Sequence, residues 1–265
     1  VTDLLTLVAR LEAQLSGFVL VWVRLGALLL VAPLPAPRGV PTLHRVGLAT
    51  LLAAVLAPVV PSPPALGPGW LGLGLAVAGE VAVGLLMGSL VAWALAAVES
   101  AGEVAGLQMG VGLAGVLDPT SGRQTNPVAR WLELTAILFA LAVNGHHLVL
   151  EAAAASFDRL PPGRALSPAA AGGAVALGAA VLRSALDLAA PVIGVALLVQ
   201  AAAALLGRVA PQTNVYLLAV PAVAVLGLAV LAAALPRLGP ALGRLLGDFL
   251  GAAPALLTGG GHGIR

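Results

Sequence analysis

Hydrophobic residues in this chain come in long continuous runs, without the strict alternation that marks a half-buried strand. Six runs stand out: Leu15 to Ala32, Leu43 to Val60, Trp70 to Val98, Trp131 to Leu150, Ala174 to Leu206 and Val215 to Leu235. A bilayer core about 30 Å thick is crossed by about 20 apolar residues in a helix, and each run meets or approaches that length. The separators are PLPAPRGVP, PSPPALGPG, the segment from Glu99 to Arg130, SFDRLPPGRALSP and GRVAPQTN. They are rich in Pro, Gly or charge, as helix boundaries are. The pattern predicts an all-α integral membrane protein of helical hairpins, with kinked or broken helices and a Gly-rich central loop. No long-period repeat is visible and there is no room for a soluble domain, so residues 1–265 read as a single membrane-embedded unit.

The run from Ala174 to Leu206 is too long for an upright span: as a straight helix it would measure about 50 Å. It must tilt, kink or protrude. Pro191 cannot donate to the carbonyl of Asp187, so a kink with an exposed polar backbone group is expected there, whether it serves a function or is a kink tolerated in a packed bundle.

Composition supports the membrane reading. Hydrophobic residues make up 60% of the 265 and charged residues 9%, against roughly 25% charge in a soluble domain, and a soluble protein of this size still needs a polar shell. Glycine (33) and proline (20) together form a fifth of the chain, while aromatics are only 3%. The net charge is +2 and carries no lysine at all. No basic stripe exists to neutralise phosphates, so no nucleic-acid partner is expected. Zero cysteines exclude disulfides and thiolate chemistry. No cleavable signal peptide is expected, because the first apolar run ends in prolines.

If all six runs span once, six arginines fall on one side and five on the other. The positive-inside rule then assigns no orientation. With so few aromatics for an interfacial belt, the apolar surface is expected to be covered largely by partner proteins.

Candidate chemistry concentrates in VESAGEVAGLQMGVGLAGVLDPTSG, Val98 to Gly122. As a helix at 100° per residue, Glu99, Glu103, Gly106 and Gly110 fall within about 60° of one another, with Gly102 beside them. Small residues four apart admit a close helix, and acids on that face need a cation, a proton or water. The stripe is either a close-packed helix end with solvated acids or the wall of a polar passage. The glycines at 110, 112 and 115 each weaken a helix by about 1 kcal/mol, and Asp118 with Pro119 signals a turn. Irregular backbone at membrane depth is tolerated only in protein or lining a cavity. Gly106 to Leu117 is therefore a candidate plug or constriction.

Glu80 lies inside an apolar run, with Gly84 and Gly88 forming a GxxxG pair after it. It is either a functional intramembrane acid or a structural ion-pair partner of Arg24 or Arg183. Asn144, Gly145, His146 and His147 read NGHH; adjacent histidines diverge by about 100° on a helix and do not form an i, i+4 metal pair. A hydrogen-bonded helix contact is expected there. Arg208, Pro211, Gln212 and Asn214 make a polar break. No nucleophile, base and orienter set is present, and neither an enzyme nor a cofactor is expected.

AGEVAGLQMG, LDPTSG, NPVARWLE, NGHH, RVAPQTNVY and LAVPAVAV, in that order, together with the proline and arginine spacing of Pro33 to Pro41, resemble the FliR family of flagellar export-gate proteins over nearly the whole chain. The resemblance implies a subunit built into a larger helical assembly, joining FliP-like and FliQ-like proteins in a helical, cone-shaped gate and working with FlhA-like and FlhB-like proteins. It places that gate at the flagellar basal body in the bacterial inner membrane. It further implies a cargo of unfolded flagellar proteins, driven by the proton-motive force. By motif, the family's plug falls on Gly106, Gly110, Gly112, Gly115, Leu117, Asp118, Pro119 and Gly122, with Glu99, Glu103 and Gln108 facing the passage or a neighbouring subunit. The alternatives are a virulence-type paralogue, or a small-solute secondary transporter using broken helices and the acids Glu80 and Asp187.

Overall fold

The computed structural model describes residues 2–34, 40–61, 70–111, 126–164, 169–209 and 214–258. Among them are seven α-helices and no strand: α1 (Thr2–Val31), α2 (Thr42–Leu56), α3 (Trp70–Gln108), α4 (Pro127–Ala142), α5 (Gly145–Arg159), α6 (Ala169–Val209) and α7 (Val215–Thr258). Four of these helices are long and apolar enough to cross a membrane: the Gln14–Val31 part of α1, α3, Leu177–Val209 of α6 and Leu218–Ala253 of α7. The pair α4 and α5 makes a fifth span if counted as one. Helix α2 has 15 residues and so reaches only about 22 Å at 1.5 Å per residue, short of the hydrocarbon thickness.

Two of the expected runs change shape. Trp131 to Leu150 is not one straight helix, because the chain bends by 68° between α4 and α5. The cause is Asn144, whose φ of 57° and ψ of 30° are left-handed; it is the one non-glycine residue with positive φ among those described. Asn tolerates that conformation better than other side chains. In the other direction, α7 continues well beyond Leu235, with Pro236 and Pro240 inside it. Each proline removes a backbone hydrogen bond, but Leu238, Leu242, Leu246 and Phe249 are all buried, and their packing outweighs local propensity. Helix α6 likewise runs unbroken through Pro191.

The chain divides into two compact units. The first comprises Val1–Trp93, Asn144–Leu177 and Leu245–Arg265. Its core holds Leu20, Leu25, Leu28, Met87, Leu90 and Phe157. Helices α1 and α3 cross there at Gly84 and Gly88. A Cβ on Gly84 would collide with the backbone carbonyl of Arg24 and come within 2.7 Å of the Ala27 Cβ; one on Gly88 would lie 2.7 Å from the Leu28 carbonyl oxygen. This is the close backbone approach that a GxxxG pair permits. Helix α2 is tied to α1 by two polar links, Trp22 Nε1 donating to Thr50 Oγ1 at 2.9 Å and Arg45 Nη1 donating to the Leu30 carbonyl at 2.9 Å.

The second unit comprises Ala94–Val143 and Gly178–Arg244. Ala101, Ala105, Met109, Leu132, Ala136 and Val192 lie in its core. Glycines again set the spacing. A Cβ on Gly102 would lie 2.5 Å from the Ala129 Cα, and one on Gly227 would press on the Met109 side chain at 2.6 Å.

Candidate functional site

Within the second unit, α3 and α4 flank the segment singled out for its glycines. Helix α3 does not stop at Gly106. It continues to Gln108 and closes in a Schellman arrangement: the Val111 N–H donates to the Gly106 carbonyl at 3.0 Å and the Gly110 N–H to the Leu107 carbonyl at 3.1 Å. Gly110 takes φ 73° to make this turn, the left-handed conformation that a helix C-cap assigns to glycine. At the return, Asn126 caps α4. Its Oδ1 accepts from the Val128 N–H at 3.0 Å, and Pro127 fills the first helical position, where no N–H is needed. The Asn126 amide also reaches α3, donating to the Glu103 carbonyl at 3.3 Å and, at 3.5 Å, to that of Gly102. Gly106 makes room for it, since a Cβ there would overlap the Asn126 side chain.

Glu99, Glu103 and Gln108 are half-buried on α3. Gly112, Gly115, Leu117, Asp118, Pro119 and Gly122 lie outside the described residues, as does Gln212.

The first unit contains a polar cluster of a different kind. Arg24 and Glu80 are both fully buried. They pair in bidentate fashion, Arg24 Nε donating to Glu80 Oε2 at 2.5 Å and Nη2 to Oε1 at 3.1 Å. Arg24 Nη1 donates to Ser156 Oγ at 3.1 Å, and Nη2 also donates to the Leu160 carbonyl at 2.9 Å. Glu80 Oε1 accepts a further bond from the Gly163 N–H at 2.8 Å. The guanidinium carbon lies 4.2 Å from the centre of the Phe157 ring. Two unit charges within a low-dielectric core need this degree of satisfaction. The pair joins α1 to α3 and fastens the turn after α5 to both. Of the two partners proposed for Glu80, Arg24 is the one found; Arg183 is exposed on α6.

The other sequence candidates remain apart. His146 and His147 have ring centroids 4.3 Å apart, and no group of three or more His, Cys, Asp or Glu able to hold a metal occurs among the described residues. Asn144 is exposed and acts through its backbone, its carbonyl accepting from the His147 N–H at 2.9 Å. Asp187 and Pro191 are exposed on α6. Arg208 sits in the last turn of that helix, where a cation suits the negative end of the dipole.

Residues 15–249 match the family described as "Bacterial export proteins, family 1". The chain belongs to that family. Within the bacterial export proteins it is similar to "Flagellar biosynthetic protein FliR" of Bacillus subtilis (strain 168), 37% identical over 142 residues, which is 54% of either chain. The protein of that name from Escherichia coli (strain K12) is 34% identical over 140 residues, 53% of either chain. That from Caulobacter vibrioides is 33% identical over 180 residues, covering 66% of this chain and 70% of the relative. The chain thus spans about half the length of the first two relatives.

Sequence reasoning gave no role to Ser156, Phe157 or Asn126 in this export-family chain. The Asn126-Pro127 pair carried a readable signal, a capping residue followed by proline at the first helical position. Ser156 and Phe157 carried none, because their relation to Arg24 spans more than 130 residues and exists only in the folded chain.

Proposed function

We propose that this chain is a non-enzymatic core subunit of the flagellar type III protein export gate. It forms, with FliP-like and FliQ-like subunits and in concert with FlhA-like and FlhB-like proteins, the path by which unfolded flagellar proteins leave the cytoplasm. The gate would lie in the bacterial inner membrane. The observation that carries the reading is the family match across residues 15–249, supported by relatives that all bear the name of a flagellar biosynthetic protein. The apolar span of α6 is only 17% buried and that of α7 only 22%, which fits helices whose outer faces are covered by other subunits or lipid.

In this reading the loop between α3 and α4 is the plug: Gly110, Gly112 and Gly115 supply its pliancy, Asp118 and Pro119 set its turn, and Gly106 lies in the helix that leads into it. Glu99 and Glu103 face the passage or a neighbouring subunit. An affinity-tagged copy of the chain should bring FliP-like and FliQ-like subunits with it from membranes, and its deletion should abolish flagellar assembly. Recovery alone or as a homo-oligomer, from cells expressing those subunits, would reject the assignment in favour of a solute transporter. Removing residues 110 to 117 from the assembled gate should make it leak ions. Unchanged permeability would reject the plug.

A further inference from the structure

We propose that the groove between α5 and α7 in the first unit receives a helix of another subunit, one that brings an arginine or lysine to Glu151. The proposal rests on the reading of the chain as one subunit of a membrane-embedded gate. The groove has a volume of about 330 Å³, and its lining includes Leu148, Glu151 and Ala155 of α5 with Gly247 and Gly251 of α7. Along α5 it runs for about 10 Å, or two helical turns. Met87 and Ser156 are buried beneath it, and Ser156 is held by Arg24, so its floor is fixed before a partner arrives.

Charge selects the occupant. Glu151 is the single charged residue in the lining. It is exposed, and its carboxylate has neither a hydrogen bond nor an ion pair among the described residues. His147, one turn before it, does not pair with it, and the next charges along α5, Asp158 and Arg159, lie about two turns away. A carboxylate in an apolar groove on a membrane-spanning segment needs a cation or water. A hydrocarbon chain supplies neither, and an anionic headgroup would be repelled. A second copy meeting the groove through the same face would set acid against acid. A partner helix with a basic side chain supplies the counter-charge and the apolar bulk together. Shape agrees with that choice. Gly247 and Gly251 stand four residues apart on α7, both exposed, and an added Cβ on either would meet nothing within 4 Å. Gly84 and Gly88, at the same spacing on α3, receive the backbone of α1. The α7 pair offers another helix the same close approach, and no described helix takes it.

The experiment uses the assembled complex, purified through a tag on this chain from membranes of cells that make the other gate subunits. A photo-crosslinker at Ala155 should react with one of the co-purified subunits, and mass spectrometry of the product locates the helix and its arginine or lysine. Glu151→Arg should lower that crosslink at least tenfold, and changing the located cation of the partner to glutamate should restore it. Gly247→Leu replaces glycine with a better helix former and fills the groove; it should lose the crosslink too, while the chain alone in detergent melts no lower than the parent. Crosslinking to lipid or to a second copy in place of another subunit would overturn the proposal. So would an undiminished crosslink in Glu151→Arg or Gly247→Leu, or failure of the exchanged charges to restore it. Recovery of the unaltered chain without other subunits would reject the gate-subunit reading itself, and this proposal with it.

Discussion

Asn126 occupies the space that a side chain at residue 106 would fill. Its amide donates to α3 backbone carbonyls while its carbonyl oxygen caps α4, so one side chain in a glycine notch fixes where the chain re-enters helix after the loop. Gly106→Ala should displace that side chain and lose the cap together with the contact. Removing an N-cap costs about 1 kcal/mol, and overpacking typically adds 1–3 kcal/mol. Asn126→Ala alone should cost only the cap and the amide bond. The double variant should be more stable than the two single losses predict, because alanine at 126 no longer opposes alanine at 106. Thermal unfolding of the four proteins in detergent measures the coupling; strict additivity would show that the two residues do not meet.

The Arg24 and Glu80 pair makes a prediction of opposite character. Truncating either partner to alanine leaves the other charge buried without its counter-ion, a loss of about 3–5 kcal/mol. Replacing both together with leucine or methionine removes both charges and keeps apolar bulk, and should recover most of that loss. The Ser156 hydroxyl, the Leu160 carbonyl and the Gly163 amide would then each lose a partner, so recovery should be incomplete. Comparing unfolding midpoints of Arg24→Ala, Glu80→Ala and the double leucine variant tests this. If the double leucine variant were no more stable than the worse single variant, the pair would not behave as a self-contained ion pair.

How far the fold could be read from the residues follows from where the information lies. The apolar runs gave the helical class, and Gly84 with Gly88 marked a crossing that exists, because spacing along one helix is a local property. Glu80 could be recognised as needing a partner from its apolar surroundings, but two arginines were equally eligible. Only the packing of α1 against α3 chose Arg24. Helix ends were read too short for the same reason. Gly106 opens the loop expected from the sequence, whereas in the folded chain it lies in the helix and admits Asn126, and the helix persists until Gly110 caps it. In α7, prolines that would end a solvated helix are outweighed by Leu238, Leu242 and Leu246. Of the proposed plug, Gly106 lies within α3 rather than in the loop.

The α1 and α3 crossing can be tested by contrast with an open glycine on the same helix. Gly84→Ala drives a Cβ into the Arg24 backbone carbonyl, which cannot rotate away as a side chain end could, so the helices must separate. Overpacking of this kind costs typically 1–3 kcal/mol, and here it also shifts the residue that holds Glu80. Gly74→Ala, on the same helix with nothing within 4 Å, should instead gain up to about 1 kcal/mol of helix propensity. Opposite changes in melting temperature for the two variants are expected. Equal tolerance would mean that the crossing is not close.

The bend between α4 and α5 depends on one backbone conformation. Asn144 holds φ 57° and ψ 30°, which costs a β-branched residue far more than asparagine or glycine. Asn144→Val should therefore destabilise the bend by about 1–3 kcal/mol, while Asn144→Gly should be close to neutral. The side chain makes no capping hydrogen bond to α5, so glycine forfeits little there and gains an unstrained left-handed turn. If asparagine were retained for its amide instead, Asn144→Gly and Asn144→Val would fail alike. Melting temperature, together with protease resistance at the bend, separates the two cases: loss confined to the valine variant identifies the left-handed backbone as what residue 144 supplies.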